Sequence, residues 1–143
     1  MIDLVFLTEE FFRDYADHLE IERKPDRPHA QMLIEAYGQI FCVPFRSHIN
    51  HPHAIWTDKK QRRGMDLSKA VVVLNPDRYI DRTRVPYLRA NEFEVFKDLD
   101  EYAVKKRLLK YIDEYKKAKK QQELPRNRTL VACSTLQYFE EYI

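Results

Sequence analysis

The stretch "AQMLIEAYGQIFCVPFRS", residues 30–47, decides the fold. Two runs rich in β-forming residues lie on either side of Gly38, the residue type that turns a chain back at least steric cost. This is the pattern of a β-hairpin, although a single glycine leaves the turn type open. The second run delivers the chain to Arg46 and Ser47 and then into "FRSHINHPH", residues 45–53, which holds three of the five histidines.

Upstream of the hairpin, "IDLVFL" reads as a first strand, and Thr8, Glu10, Phe11, Phe12 and Tyr15 mark a short capped helix. Pro25 and Pro28 exclude a helix in "EIERKPDRPHAQ". Downstream, a loop is expected from Arg46 to about Gly64, a length uncommon in a compact domain unless the loop binds something. "SKAVVVL" reads as a buried strand ended by Asn75-Pro76, and "NEFEVF" as a further strand with Phe93, Val95 and Asn91 on one face.

From Asp98 the period becomes helical. Val104, Leu108, Tyr111, Ile112 and Tyr115 share one face, Lys105, Lys106, Arg107 and Lys110 lie mostly off it, and Pro125 sets an end near Gln122. Ser134 and Gln137, in capping-box spacing, predict a short final helix. The expected fold is a single α+β domain over residues 1–143: a small antiparallel barrel-like sheet, a long C-terminal basic helix and a short last helix.

The net charge of +2 conceals segregated basic segments, "TDKKQRRG" and "KKRLLKYIDEYKKAKKQ", which suit a polyanionic partner. Lys59, Lys60, Arg62, Arg63, Lys105, Lys106, Lys116 and Lys117, with His29, are the candidate RNA-binding residues; the competing reading of such runs is a solvated face. Cys42 and Cys133 read as reduced core thiols rather than a disulfide framework. "MIDLVFLTEEFF" is too short and acidic for a signal peptide and no apolar run reaches membrane length, so a cytoplasmic protein is expected.

For "FRSHINHPH" three chemistries compete. His48, His51 and His53 lack the spacing of a metal site, and only Asp58 among carboxylates is near in sequence, so no metal and no cofactor is expected. Ser47 lacks the glycines of a nucleophile elbow, and the two separated glycines exclude a P-loop or dinucleotide fold. Arginine, serine and histidine together fit phosphate chemistry, since guanidinium binds phosphate in a planar fork and imidazole exchanges protons near neutral pH. Arg27 and His29 lead into the hairpin strand whose partner ends at Arg46-Ser47, so antiparallel pairing brings both clusters to one end of the sheet. Polar loop histidines with no special role, and core roles for Trp56 and Tyr79, are the plainer alternatives.

"DRPHAQMLIEAYGQIFCVPFRS" resembles the basic strand, glycine turn and proline-to-serine run of type III toxin–antitoxin toxins, the ToxN/AbiQ group, with the TenpN branch the most similar. "GMDLSKAVVVLNPDRYI" resembles the segment after their active-site loop. The resemblance implies a compact barrel related to MazF/Kid. It also implies metal-independent endoribonuclease activity that leaves a 2′,3′-cyclic phosphate, in phage defence by abortive infection or in growth arrest. The implied partners are a small repeated pseudoknot RNA antitoxin and cellular or phage RNA, in an RNA-bridged hetero-oligomer. By the same resemblance Ser47, Arg27 and Pro44 match family positions, while Arg46 replaces a threonine and the usual following lysine is absent. The candidate catalytic set is therefore Ser47, Arg27, Arg46, His48 and His51, with His48 or His51 transferring protons and His53 a bystander. The alternative function is an RNA- or DNA-binding module without catalysis.

Overall fold

The computed structural model describes residues 2–21 and 28–143. Strand β1 (Asp3–Leu7) leads into helix α1 (Glu9–Asp14), whose first turn is capped by the Thr8 hydroxyl accepting from Phe11 N–H at 3.3 Å. The expected hairpin follows as β2 (Gln31–Ala36) and β3 (Gln39–Arg46), in register from Gln31↔Pro44 to Ala36↔Gln39. Tyr37 and Gly38 both have positive φ, at 53° and 69°, as a two-residue type I′ turn demands.

The remaining strands are β4 (Ala54–Asp58), β5 (Arg63–Asp66), β6 (Val71–Val73) and the short β7 (Ile80–Asp81). They form one antiparallel sheet of order β4-β5-β3-β2-β1-β7, with β6 also on β3. The sheet does not close, so the barrel-like closure expected from the sequence is replaced by an open sheet with β4 and β7 as its ends. Strand β3 is the spine. On the edge away from β2, its first half pairs with β6 (Ile40 to Cys42) and its last two residues pair with β5 (Phe45, Arg46). Val43 and Pro44 fall in the gap between those two partners, where a proline without an N–H is tolerated.

Three expectations are corrected. The loop to Gly64 contains the β4–β5 hairpin, whose strands run so close that a Cβ on Gly64 would strike Ile55 O and lie 2.9 Å from Trp56 Cα. "NEFEVF" is helix α3 (Ala90–Lys97), not a strand: its buried residues are Glu92 and Phe96, four apart, while Phe93 and Val95 face outward. Glu92 is drawn in by the Thr57 hydroxyl at 2.8 Å, a partner that no local pattern shows. The final segment forms two 3-10 turns, Thr135–Tyr138 and Glu140–Tyr142, because Thr135 Oγ1 and the Ser134 hydroxyl are committed to Ala70 O and Leu136 N–H.

Helix α4 (Glu101–Lys119), capped by Asp100, buries the expected face of Val104, Leu108, Tyr111, Ile112 and Tyr115 and exposes its lysines apart from the half-buried Lys116. Pro125, expected to stop that helix, also starts α5 (Pro125–Cys133), since proline suits the first helical turn. The remaining helix, α2 (Pro76–Tyr79), is capped by Asn75. Cys42 is buried as expected, but Cys133 is exposed rather than a core thiol. Among the described residues, no helix is long and apolar enough to cross a membrane.

Candidate functional site: a histidine and arginine cleft

Strand β5 ends at Asp66, whose side chain is fully buried. A buried carboxylate is tolerable only when its oxygens are satisfied by donors. Asp66 Oδ1 accepts from Ser68 N–H at 3.0 Å and from the Ser68 hydroxyl at 2.6 Å, capping the 3-10 turn Leu67–Lys69. Its Oδ2 accepts from Arg46 Nη1 at 2.5 Å, and His51 Nε2 lies 3.1 Å from Oδ1. Burial alone raises the carboxyl pKa; the bonds from His51, Ser68 and Arg46 outweigh it and hold Asp66 at about 2.

These contacts fix the state of His51. Its Nδ1 accepts from the His53 backbone N–H at 3.1 Å, so that nitrogen carries no hydrogen. The ring hydrogen is then on Nε2, directed at Asp66 Oδ1 and at Ser68 Oγ, 3.2 Å away. Both ring nitrogens of His51 are thus engaged. His53 stands beside it, ring centroids 5.6 Å apart, against the Tyr111 ring at 5.4 Å and with Nδ1 3.6 Å from Glu114 Oε2. Burial lowers the His53 pKa and His51 adds to the effect, against the opposing pull of Glu114 and Asp66.

Arg46, His51, His53, Ser68 and Lys69 line a cleft of about 1020 Å³. Helices α4 and α5 also line it, with Tyr111, Glu114 and Lys117 from the first and Arg126 from the second. Lys69 Nζ is held by Glu20 Oε2 and Cys133 O, each at 2.9 Å. Among the described residues the lining contains four cations, Arg46, Lys69, Lys117 and Arg126, against two carboxylates, Glu20 and Glu114.

Of the residues singled out by sequence, Arg46, His51 and Lys117 line this cleft, and so does His53, which the sequence reading set aside as a bystander. Ser47 and His48 do not line it: both are exposed, paired to each other at 3.1 Å between Oγ and Nδ1, with His48 at φ 58°. His29 joins Arg46 and Lys69 around a much smaller hollow. Arg27 lies outside the described residues. Arg62 is a clamp: its guanidinium stacks on Trp56 at 4.5 Å, its Nε donates to Ile49 O at 2.7 Å, and its own carbonyl accepts from Ile49 N–H. Lys59 and Lys60 are exposed in the β4–β5 turn and Arg63 is half-buried. Lys105 and Lys106 are exposed on α4, with Lys105 beside Asp3, Glu35 and Glu101, and Lys116 lies over the Tyr37 ring at 5.1 Å.

Sequence reading missed Asp66, Ser68, Lys69, Glu114 and Arg126. Only the Asp-x-Ser spacing at residues 66–68, a local capping pattern, carried a signal. Among the described residues, no three of His, Cys, Asp and Glu converge as ligands for a metal ion. No family model, no curated protein and no solved structure matches this chain.

Proposed function

We propose that this chain is an endoribonuclease that cleaves RNA without a metal ion, by attack of a 2′-hydroxyl on the adjacent phosphate to leave a 2′,3′-cyclic end. The observation that carries the reading is the gathering of Arg46, Lys69, His51 and His53 around one cleft. Arg46 is oriented by Asp66 and Lys69 by Glu20, so both cations are held in place before a phosphate arrives. Cations fixed in advance stabilise the charge that develops on the phosphorane without reorganising during the reaction. Lys117 and Arg126, also in the lining, suit the flanking backbone of a single strand.

The resemblance of residues 26–47 to ToxN/AbiQ toxins extends the reading to a cytoplasmic type III toxin, with a MazF/Kid-related sheet and a pseudoknot RNA antitoxin as partner. Its role is abortive infection or growth arrest, and by the same resemblance Ser47, next to Arg46 in sequence, stays a candidate catalytic residue although it does not line the cleft. The test is incubation of purified protein with total RNA and a mixed-sequence single-stranded RNA in EDTA, followed by end analysis. Cyclic-phosphate and 5′-hydroxyl ends are expected. Binding without cleavage would favour the non-catalytic RNA- or DNA-binding module, and absence of both would overturn the nucleic-acid reading.

A further inference from the structure

We infer that His53 is the base that accepts the 2′-hydroxyl proton and that Glu114 positions its ring. The inference rests on the RNA-cleavage reading and assigns the proton transfer that the reading leaves open. Three histidines of the loop are available. His48 is exposed and does not line the cleft. His51 lines it, but its Nδ1 is occupied by the His53 N–H and its Nε2 hydrogen points at Asp66 and Ser68. It can take a proton only by breaking the bond that shapes the loop.

His53 differs in each respect. It lines the cleft, and its Nδ1 faces Glu114 Oε2 at 3.6 Å. A carboxylate on that side favours the tautomer with hydrogen on Nδ1, leaving the Nε2 lone pair as the base. Among the described residues no hydrogen bond engages that Nε2. The separation from Glu114 is slightly long for a hydrogen bond, as catalytic pairs often are before substrate binds. The titratable groups around His53 are His51 on its own loop, Asp66 at the end of β5, and Tyr111 and Glu114 on α4. Tyr111 gives its hydroxyl hydrogen to Ser134 Oγ at 2.8 Å, so it offers His53 a ring face and no proton. Burial keeps the imidazole unprotonated at neutral pH, the state a base requires.

In the step itself the 2′-oxygen bonds to phosphorus as its proton passes to His53 Nε2. The P–O5′ bond breaks and the 5′-oxygen takes a proton from water. The hydroxide so formed is neutralised when the imidazolium releases its proton, and Arg46 and Lys69 carry the phosphorane charge meanwhile.

The test is single-turnover cleavage of the same RNA in EDTA, across about pH 5 to 9, for wild type, His53→Ala and Glu114→Gln. For wild type, the rate is expected to rise with pH through an ionisation below the ordinary histidine value of 6.5. His53→Ala is expected to lose about 10²- to 10⁴-fold in rate and that ionisation, with partial rescue by added imidazole. Glu114→Gln removes a negative charge that supports the imidazolium, so its ionisation should move to lower pH while the rate falls. Wild-type rate and profile in His53→Ala would overturn the assignment and leave the cleavage reading standing. If His53→Ala does not fold, an unmoved ionisation in Glu114→Gln overturns it instead. Failure of wild type to cleave would overturn the cleavage reading, and this inference with it.

Discussion

The loop between β3 and β4 contains two polar pairs of nearly the same composition: Ser47 with His48, and His51 with His53. In the first, serine and imidazole meet at 3.1 Å and both are exposed. In the second, a buried carboxylate fixes one ring, and that ring's Nδ1 in turn holds the backbone of the other. An exposed hydrogen bond trades against water at almost no net gain, whereas one to a buried charge is worth considerably more. Residue type and sequence proximity are therefore poor guides to which histidine is held for use. The buried partner, Asp66, decides it from a different strand.

The comparison is broken most forcibly at that partner. Asp66→Ala removes the buried acceptor shared by Arg46, Ser68 and His51 and is expected to cost about 3–5 kcal/mol, read from urea denaturation. A loss under about 1 kcal/mol would mean that the network does not organise the loop.

Acid titration probes the same carboxylate more gently. Its folded pKa of about 2 lies below the unfolded 3.8, so its contribution is present in full above the unfolded value. About 2 kcal/mol should disappear as pH falls from about 4 through about 2. Asp66→Asn should lack this component, and an identical acid profile in that variant would assign the acid lability elsewhere.

The two histidines can be compared directly. His51→Ala strips one donor from Asp66 and an acceptor from His53 N–H, a loss of about 1–3 kcal/mol. His48→Ala should stay within about 0.5 kcal/mol of wild type, since the ring is exposed. Equal melting temperatures for the two variants would erase the distinction between the halves of the loop.

The smallest effect on stability is expected at Ser47, an exposed serine whose replacement by alanine should change it by under about 0.5 kcal/mol. Resemblance nevertheless assigns Ser47→Ala a loss of toxicity. Growth arrest at wild-type strength on expressing this variant would remove Ser47 from the mechanism and leave the cleft to account for activity.

Sequence by itself determined the elements whose cause is local. The Gly38 hairpin, the Thr8 cap and the buried stripe of α4 all follow from turn chemistry, capping and periodicity over a few residues. It also pointed to Arg46 and His51 as phosphate-site candidates, because their side-chain chemistry is visible without a fold. Tertiary structure alone decided the rest. Helix α3 escaped because Glu92 is buried by Thr57, thirty-five positions away, and the β4–β5 hairpin escaped because its strands are short and joined by a charged turn. Asp66, Lys69, Glu114 and Arg126 became site residues only where β5, the following turn, α4 and α5 converged on one cleft. Burial and long-range pairing set the ionisation and direction of a polar side chain, and neither is a property of its neighbours in sequence.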